Sequence, residues 1–260
     1  MKTIRPFLMI ASLVLVVSLA CGGFTSDEPA SQPTLPPIPT VQQQQQQQQQ
    51  EQQPQSTEQP TEEAQAPQPS GGAFFTEEFD SDPQWYYEVI EDNGGKSDPE
   101  NITITFEDSL MTFEIPDQFL YAYYIYEGYS YEDVRVEVNV DNRGVNTQQV
   151  SLVCRVGDDG WYEWAVQSDG LWYLYVVSGG YTRLSNGGSN DIHQGKDSNV
   201  YTLECKGDEI SFFINGQEQK GSPFIDREYG LREGNVGFSI SSLRAVPVKI
   251  EVDKFTISEP

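Results

Sequence analysis

The sequence predicts an all-β domain, a two-sheet antiparallel sandwich over residues 73–260, and three observations carry that prediction. Runs rich in β-branched and aromatic residues, several alternating with a period of two, recur from Ala73 onward, and no stretch shows convincing helical periodicity. About a dozen such runs are separated by Gly, Asn and Asp. One pair forms a strong hairpin signal: Trp161–Gln167 and Leu171–Val177 flank Ser168-Asp169-Gly170. The 188 residues involved make one domain of ordinary size.

What precedes the domain is different in kind. Lys2 and Arg5 lead an apolar run from Phe7 to Leu19, followed by Ala20-Cys21. A basic start, a 13-residue apolar segment and a small residue before the break describe an export signal over 1–20, too short to span a bilayer comfortably. Ser18-Leu19-Ala20-Cys21 resembles a bacterial lipobox, with Ser18 where leucine is usual. The resemblance implies that Cys21 is lipidated and becomes the first mature residue. An ordinary cleaved signal with a chance cysteine is the alternative. Residues 22–72 hold the Pro33–Pro39 cluster, nine glutamines from Gln42 to Gln50, and then Gln, Glu and Pro. Such a segment offers too little apolar surface to offset the entropy of ordering, so a disordered tether is expected. As a flexible coil its r.m.s. reach is roughly 40 Å. The expected address is the extracytoplasmic side of a membrane, held there by the lipid alone.

Strands are expected near Phe74–Phe79, Trp85–Glu91, Asn101–Glu107, Ser109–Ile115 and Tyr121–Tyr126. Others fall near Val134–Val140, Val150–Val156, Trp161–Gln167, Leu171–Val177, Val200–Lys206, Ile210–Asn215, Val236–Ser241 and Val248–Ile257. Alternation is clearest at Val134, Val136, Val138 and Val140, and again at Val248, Ile250 and Val252.

The hairpin's register decides which aromatics are core. A two-residue Asp-Gly loop would put Tyr162, Trp164 and Val166 on one face with Tyr173 and Tyr175. A three-residue Ser-Asp-Gly loop, with Gly170 left-handed, puts them with Trp172, Leu174 and Val176. The second register gathers the apolar side chains together and leaves Glu163, Gln167, Tyr173 and Tyr175 opposite. Burial of one face selects it.

The strand carrying Cys154, the aromatic hairpin, Leu203-Glu204-Cys205-Lys206-Gly207, Ile210–Gly216 and Gly234-Asn235-Val236-Gly237 follow one another in an order that resembles the concanavalin A-like lectin/glucanase superfamily. Within it they are most similar to bacterial surface domains related to the 3-keto-disaccharide hydrolase family. The resemblance covers nearly all of 73–260 and implies a jelly-roll sandwich. Cys154 and Cys205 each sit on the apolar side of a strand, and an even pair in an exported domain most simply makes one disulfide; two buried thiols are the alternative.

The folded part carries 34 acidic and 13 basic residues, a net charge of −21. That makes nucleic acid and anionic lipid headgroups poor partners. No cofactor is expected. Asp158-Asp159, Asp80-Ser81-Asp82 and Asn190-Asp191 offer loop oxygens to calcium, but none has the spacing of a calcium loop, and no metal site is assigned.

Glucanases of the superfamily carry a Glu-x-Asp-x-x-Glu pattern, which 73–260 lacks, and no nucleophile elbow is present. The lone His193 lies in a polar loop. No catalytic residue is assigned. Binding has more support: Trp161, Glu163, Gln167, Tyr173 and Tyr175 share one face in the selected register, aromatic rings for sugar faces beside amide and carboxyl partners. Tyr121, Tyr123, Tyr124, Tyr126, Tyr129 and Tyr131 form a second aromatic cluster. The expectation is a monomeric, non-catalytic surface domain binding a glycan or cell-wall polysaccharide. A hydrolase of the 3-keto-disaccharide type and a protein-binding adhesive module are the alternatives.

Overall fold

The computed structural model describes residues 73–260, so the export signal, Cys21 and the tether lie outside the described residues. Along the chain run β1 (Phe75–Glu77), β2 (Tyr86–Glu91), β3 (Thr103–Glu107), β4 (Leu110–Ile115), β5 (Leu120–Tyr131) and β6 (Val134–Asn142). Then come β7 (Gln149–Gly157), β8 (Gly160–Gln167), β9 (Leu171–Val177), β10 (Tyr181–Gly188), β11 (Ser198–Lys206) and β12 (Glu209–Ile214). The last four are β13 (Gln217–Glu218), β14 (Phe224–Ile225), β15 (Gly234–Ser241) and β16 (Val248–Ser258). The thirteen expected strands are all present. The sequence reading omitted β10 and the two-residue β13 and β14.

Two antiparallel sheets result. One follows the order β13-β12-β11-β6-β16-β4-β3, with β1 added on β16 and β14 on β12; the other runs β10-β9-β8-β7-β15-β5-β2. Strands adjacent in space are often remote in sequence, as β15 is between β5 and β7. That is the jelly-roll sandwich implied by the resemblance.

Alternation places the core between the sheets. Val134, Val136, Val138 and Val140 of β6 are all buried while the residues between them are half-exposed. Opposite them, β8 and β9 send in Tyr162, Trp164, Trp172 and Leu174, and Trp164 packs at 5.4 Å from the Phe212 ring of β12. The hairpin uses the three-residue loop: Tyr162 pairs with Val176, Trp164 with Leu174 and Val166 with Trp172, and Gly170 takes φ +104°. A positive φ of that size suits glycine because it has no Cβ. Cys154 of β7 and Cys205 of β11 are bonded, so the one disulfide staples the two sheets through the core. Both sheets, the core and the staple lie within 73–260, and this segment carries everything the sandwich needs to fold.

Candidate functional site

The register that buries Trp164 turns β8's other residues to the outer face of the seven-stranded sheet. Trp161 and Gln167 are half-buried there, and so are Tyr173 and Tyr175 of β9. Glu163 lies between them, opposite Tyr175 on β9 and Val153 on β7, and is only 1% exposed. The five residues singled out from sequence therefore share one face.

What covers Glu163 comes from strands remote in sequence. The Tyr123 hydroxyl on β5 donates to Glu163 Oε2 at 2.8 Å, and the Trp161 indole N–H approaches the same oxygen at 3.3 Å. With its one proton so used, Tyr123 accepts from the hydroxyl of Tyr181 on β10 at 2.6 Å. Tyr123 can reach across because the central strands carry small residues on this face. Ser239 pairs with Tyr123, Ser151 pairs with Ser239, and Ala165 pairs with Ser151.

Burial explains the electrostatics. Desolvation disfavours the charged carboxylate and pushes the Glu163 carboxyl upward, while hydrogen bonds from Ser151, Tyr123 and Trp161 pull part of the way back. Desolvation first, and then the Glu163 charge, raise the hydroxyls of Tyr123 and Tyr181 well above the usual phenol range. Both stay protonated, and so remain donors, throughout any working pH.

The rings form a continuous path over this group. Tyr173 and Tyr175 stack at 5.9 Å and 22°, Tyr175 meets Tyr181 edge-on at 5.9 Å, and Tyr123 meets Trp161 at 6.0 Å. Two cavities flank the Tyr123 bridge. One, of about 410 Å³, is lined by Ile90, Tyr121, Gln149, Glu163, Tyr175 and Tyr181, with Glu91 and Asp92 at its rim. The other, of about 390 Å³, has a floor of Ile90, Tyr123, Ile125, Val153 and Trp161. Both volumes lie within the range of small-ligand sites. Gln167 and Tyr173 line neither; Gln167 instead donates to Gln149 at 3.3 Å.

The second aromatic cluster divides. Tyr121 and Tyr123 face this site, whereas Tyr124, Tyr126 and Tyr131 turn into the core and Tyr129 is exposed. Tyr181, on the strand that sequence reading omitted, is the largest addition to the site.

Elsewhere the candidates do not converge. His193 is exposed, its Nδ1 at 3.0 Å from the Ser198 carbonyl, and it lines a polar cavity against the other sheet with Asp141, Arg143 and Glu251. Among the described residues, no three His, Cys, Asp or Glu side chains gather as a metal site. Asp82 accepts from the Tyr124 hydroxyl and Asp191 from Ser189 and Gln219, so these loop carboxylates serve local structure.

No family model and no curated protein matches the chain. Solved structures do. A β-glucanase from Bacillus licheniformis superposes with a TM-score of 0.53 at 13% identity, over 73% of this chain and 99% of that one. A Bacillus subtilis protein of unknown function with a galectin-like fold gives 0.52 at 13%, over 72% and 96%. A family 16 glycoside hydrolase from Bacteroides ovatus, solved with a glucan product, gives 0.53 at 10%, over 71% and 99%. The chain therefore has the concanavalin A-like lectin/glucanase fold.

Proposed function

We propose that residues 73–260 bind carbohydrate on the outer face of the seven-stranded sheet and do not cleave it. The observation that carries this reading is the aromatic path from Tyr173 to Trp161, laid across two cavities with Glu163 beneath it. Sugar rings present C–H faces to such side chains, and Gln149 with the Tyr181 hydroxyl supplies polar partners at the same cavity. Two structures that share the fold are a β-glucanase and a glycoside hydrolase solved with a glucan product, which supports a glycan over other ligands.

Hydrolysis by a carboxylate pair needs two acids flanking the scissile bond. The groups touching Glu163 are hydroxyls and an indole, and the superfamily's glucanase acid pattern is missing. Glu163 serves as a buried anchor for the donors above it. In the same reading, Cys21 carries the lipid that holds the chain on the extracytoplasmic side of a membrane, with 22–72 as the tether. Cys21→Ser is expected to release the protein from membranes, and retention without acyl chains would refute the anchor.

The test of binding is a glycan array probed with residues 73–260, with and without calcium. Reproducible binding that Tyr173→Ala with Tyr175→Ala loses, while its melting curve stays cooperative, is the expected result. A blank array from folded protein would overturn the reading and favour a protein partner.

A further inference from the structure

The two cavities share Ile90 and lie side by side along the face, so one extended ligand can occupy both. Their aromatic walls make the site; the charges around them choose its occupant. Glu88, Glu127 and Asp158 rim the Trp161 cavity, and Glu91 and Asp92 rim its neighbour. No lysine, arginine or histidine lines either one.

Nor does the surrounding sheet neutralise these acids. Its seven strands contain two basic residues. Arg155 is buried and donates to the carbonyls of Leu231 and Glu132, and Arg183 sits on the edge strand, opposite Tyr175. Every ion pair among the described residues belongs to the other sheet: Arg135 with Glu204, Arg143 with Asp141 and Glu251, and Lys249 with Glu114. Among the described residues, no ion pair therefore engages the rim carboxylates of the two cavities.

We infer that the glycan this face takes is cationic, an oligosaccharide of amino sugars with free, protonated amines. Its ring faces would rest on Tyr175, Tyr181 and Trp161, and its ammonium groups would meet the carboxylates of Glu88, Glu127 and Asp158. Polyanionic glycans are repelled by the same rim, and neutral ones gain nothing from it. The inference rests on the carbohydrate reading of the face and adds the ligand's charge to it.

The test compares a fully deacetylated glucosamine oligomer with its N-acetylated counterpart of equal length. Residues 73–260 are titrated at about pH 6, above the carboxylate range and below that of the sugar amines. An exposed ion pair contributes a factor of about two to five, so three of them predict binding of the amine that is tighter by about eightfold or more. The preference should shrink as salt is raised, because exposed charges are screened. It should vanish in Glu88→Gln/Glu127→Gln/Asp158→Asn. It should persist in Glu107→Gln/Glu209→Gln/Glu259→Gln, which removes the same charge from exposed positions of the other sheet and the chain end. Equal affinity for the two oligomers overturns the inference and leaves the carbohydrate reading standing. So does a preference that survives the first triple variant, or one that disappears equally in both. Failure of these and of neutral glycans to bind folded protein overturns the carbohydrate reading itself.

Discussion

Replacing Tyr123 with phenylalanine isolates one hydroxyl while keeping its ring against Trp161. In the wild type that hydroxyl donates to Glu163 Oε2 at 2.8 Å, and the acceptor is buried. A hydrogen bond to a charged group is worth about 1.5–3 kcal/mol, against about 1 kcal/mol for a neutral pair. Tyr181 also loses a partner, but it is half-exposed and water can replace it, so little is added. The loss expected is about 1 kcal/mol where Glu163 is protonated and about 2 kcal/mol where it is a carboxylate, or roughly 2–4 °C and 4–8 °C in Tm for a domain of this size. The pH dependence has a definite sign. Because burial raises the Glu163 carboxyl, its favourable contribution is fully present below the unfolded value of about 4.3 and falls away as pH rises through the folded one. Tyr123→Phe removes a donor that favours the carboxylate and raises that group further, so the deficit must widen from pH 4 to pH 8. Thermal melts across that range measure it, and combining Tyr123→Phe with Glu163→Gln should abolish the widening. Equal melting of wild type and Tyr123→Phe at every pH would refute the view that Tyr123 supports a buried carboxylate.

Two other perturbations probe the frame that holds the site. Breaking Cys154–Cys205, which closes a separation of 51 residues, should cost about 4 kcal/mol by loop entropy, seen as a Tm lower by roughly 8–16 °C in Cys154→Ala/Cys205→Ala; an unchanged Tm would mean the staple contributes nothing. Gly237→Ala should destabilise by about 3 kcal/mol or more, since a Cβ there would lie 2.2 Å from the Tyr124 carbonyl oxygen and 2.8 Å from Ile125 Cδ1. Chemical denaturation reads that loss, and a wild-type midpoint would show that β15 and β5 can separate more freely than their pairing implies.

The hairpin face was legible because its logic is local. Alternation from Trp161 to Val177 and a three-residue turn at Gly170 decide which side chains are buried, and the rest must face outward. The roof over Glu163 was not legible. Tyr123 and Tyr181 are 40 and 18 residues away, and they meet only because β15 is placed between β5 and β7. Tyr181 was harder still. Its strand, Tyr-Thr-Arg-Leu-Ser-Asn-Gly-Gly, is mostly polar, ends in glycines and has a bulge at Leu184, as befits an edge that buries little. Six tyrosines between 121 and 131 looked alike in sequence, and only the pairing of β5 with β15 and β2 sorts them into site, core and surface. The charge contrast between the sheets was hidden for the same reason, because composition sums over both faces.

The most direct test of the carbohydrate reading is an NMR titration of residues 73–260 with the strongest glycan from the array, following backbone amides and the Trp161 indole N–H. The indole nitrogen lies at 3.3 Å from Glu163 Oε2 and beside the Trp161 cavity, so a ligand on this face must change its surroundings. Binding as proposed shifts that signal together with amides of Tyr123, Glu163, Tyr175 and Tyr181. Shifts confined to the other sheet, around Asp141, Arg143 and His193, would contradict the account and move the binding site to the opposite side of the sandwich.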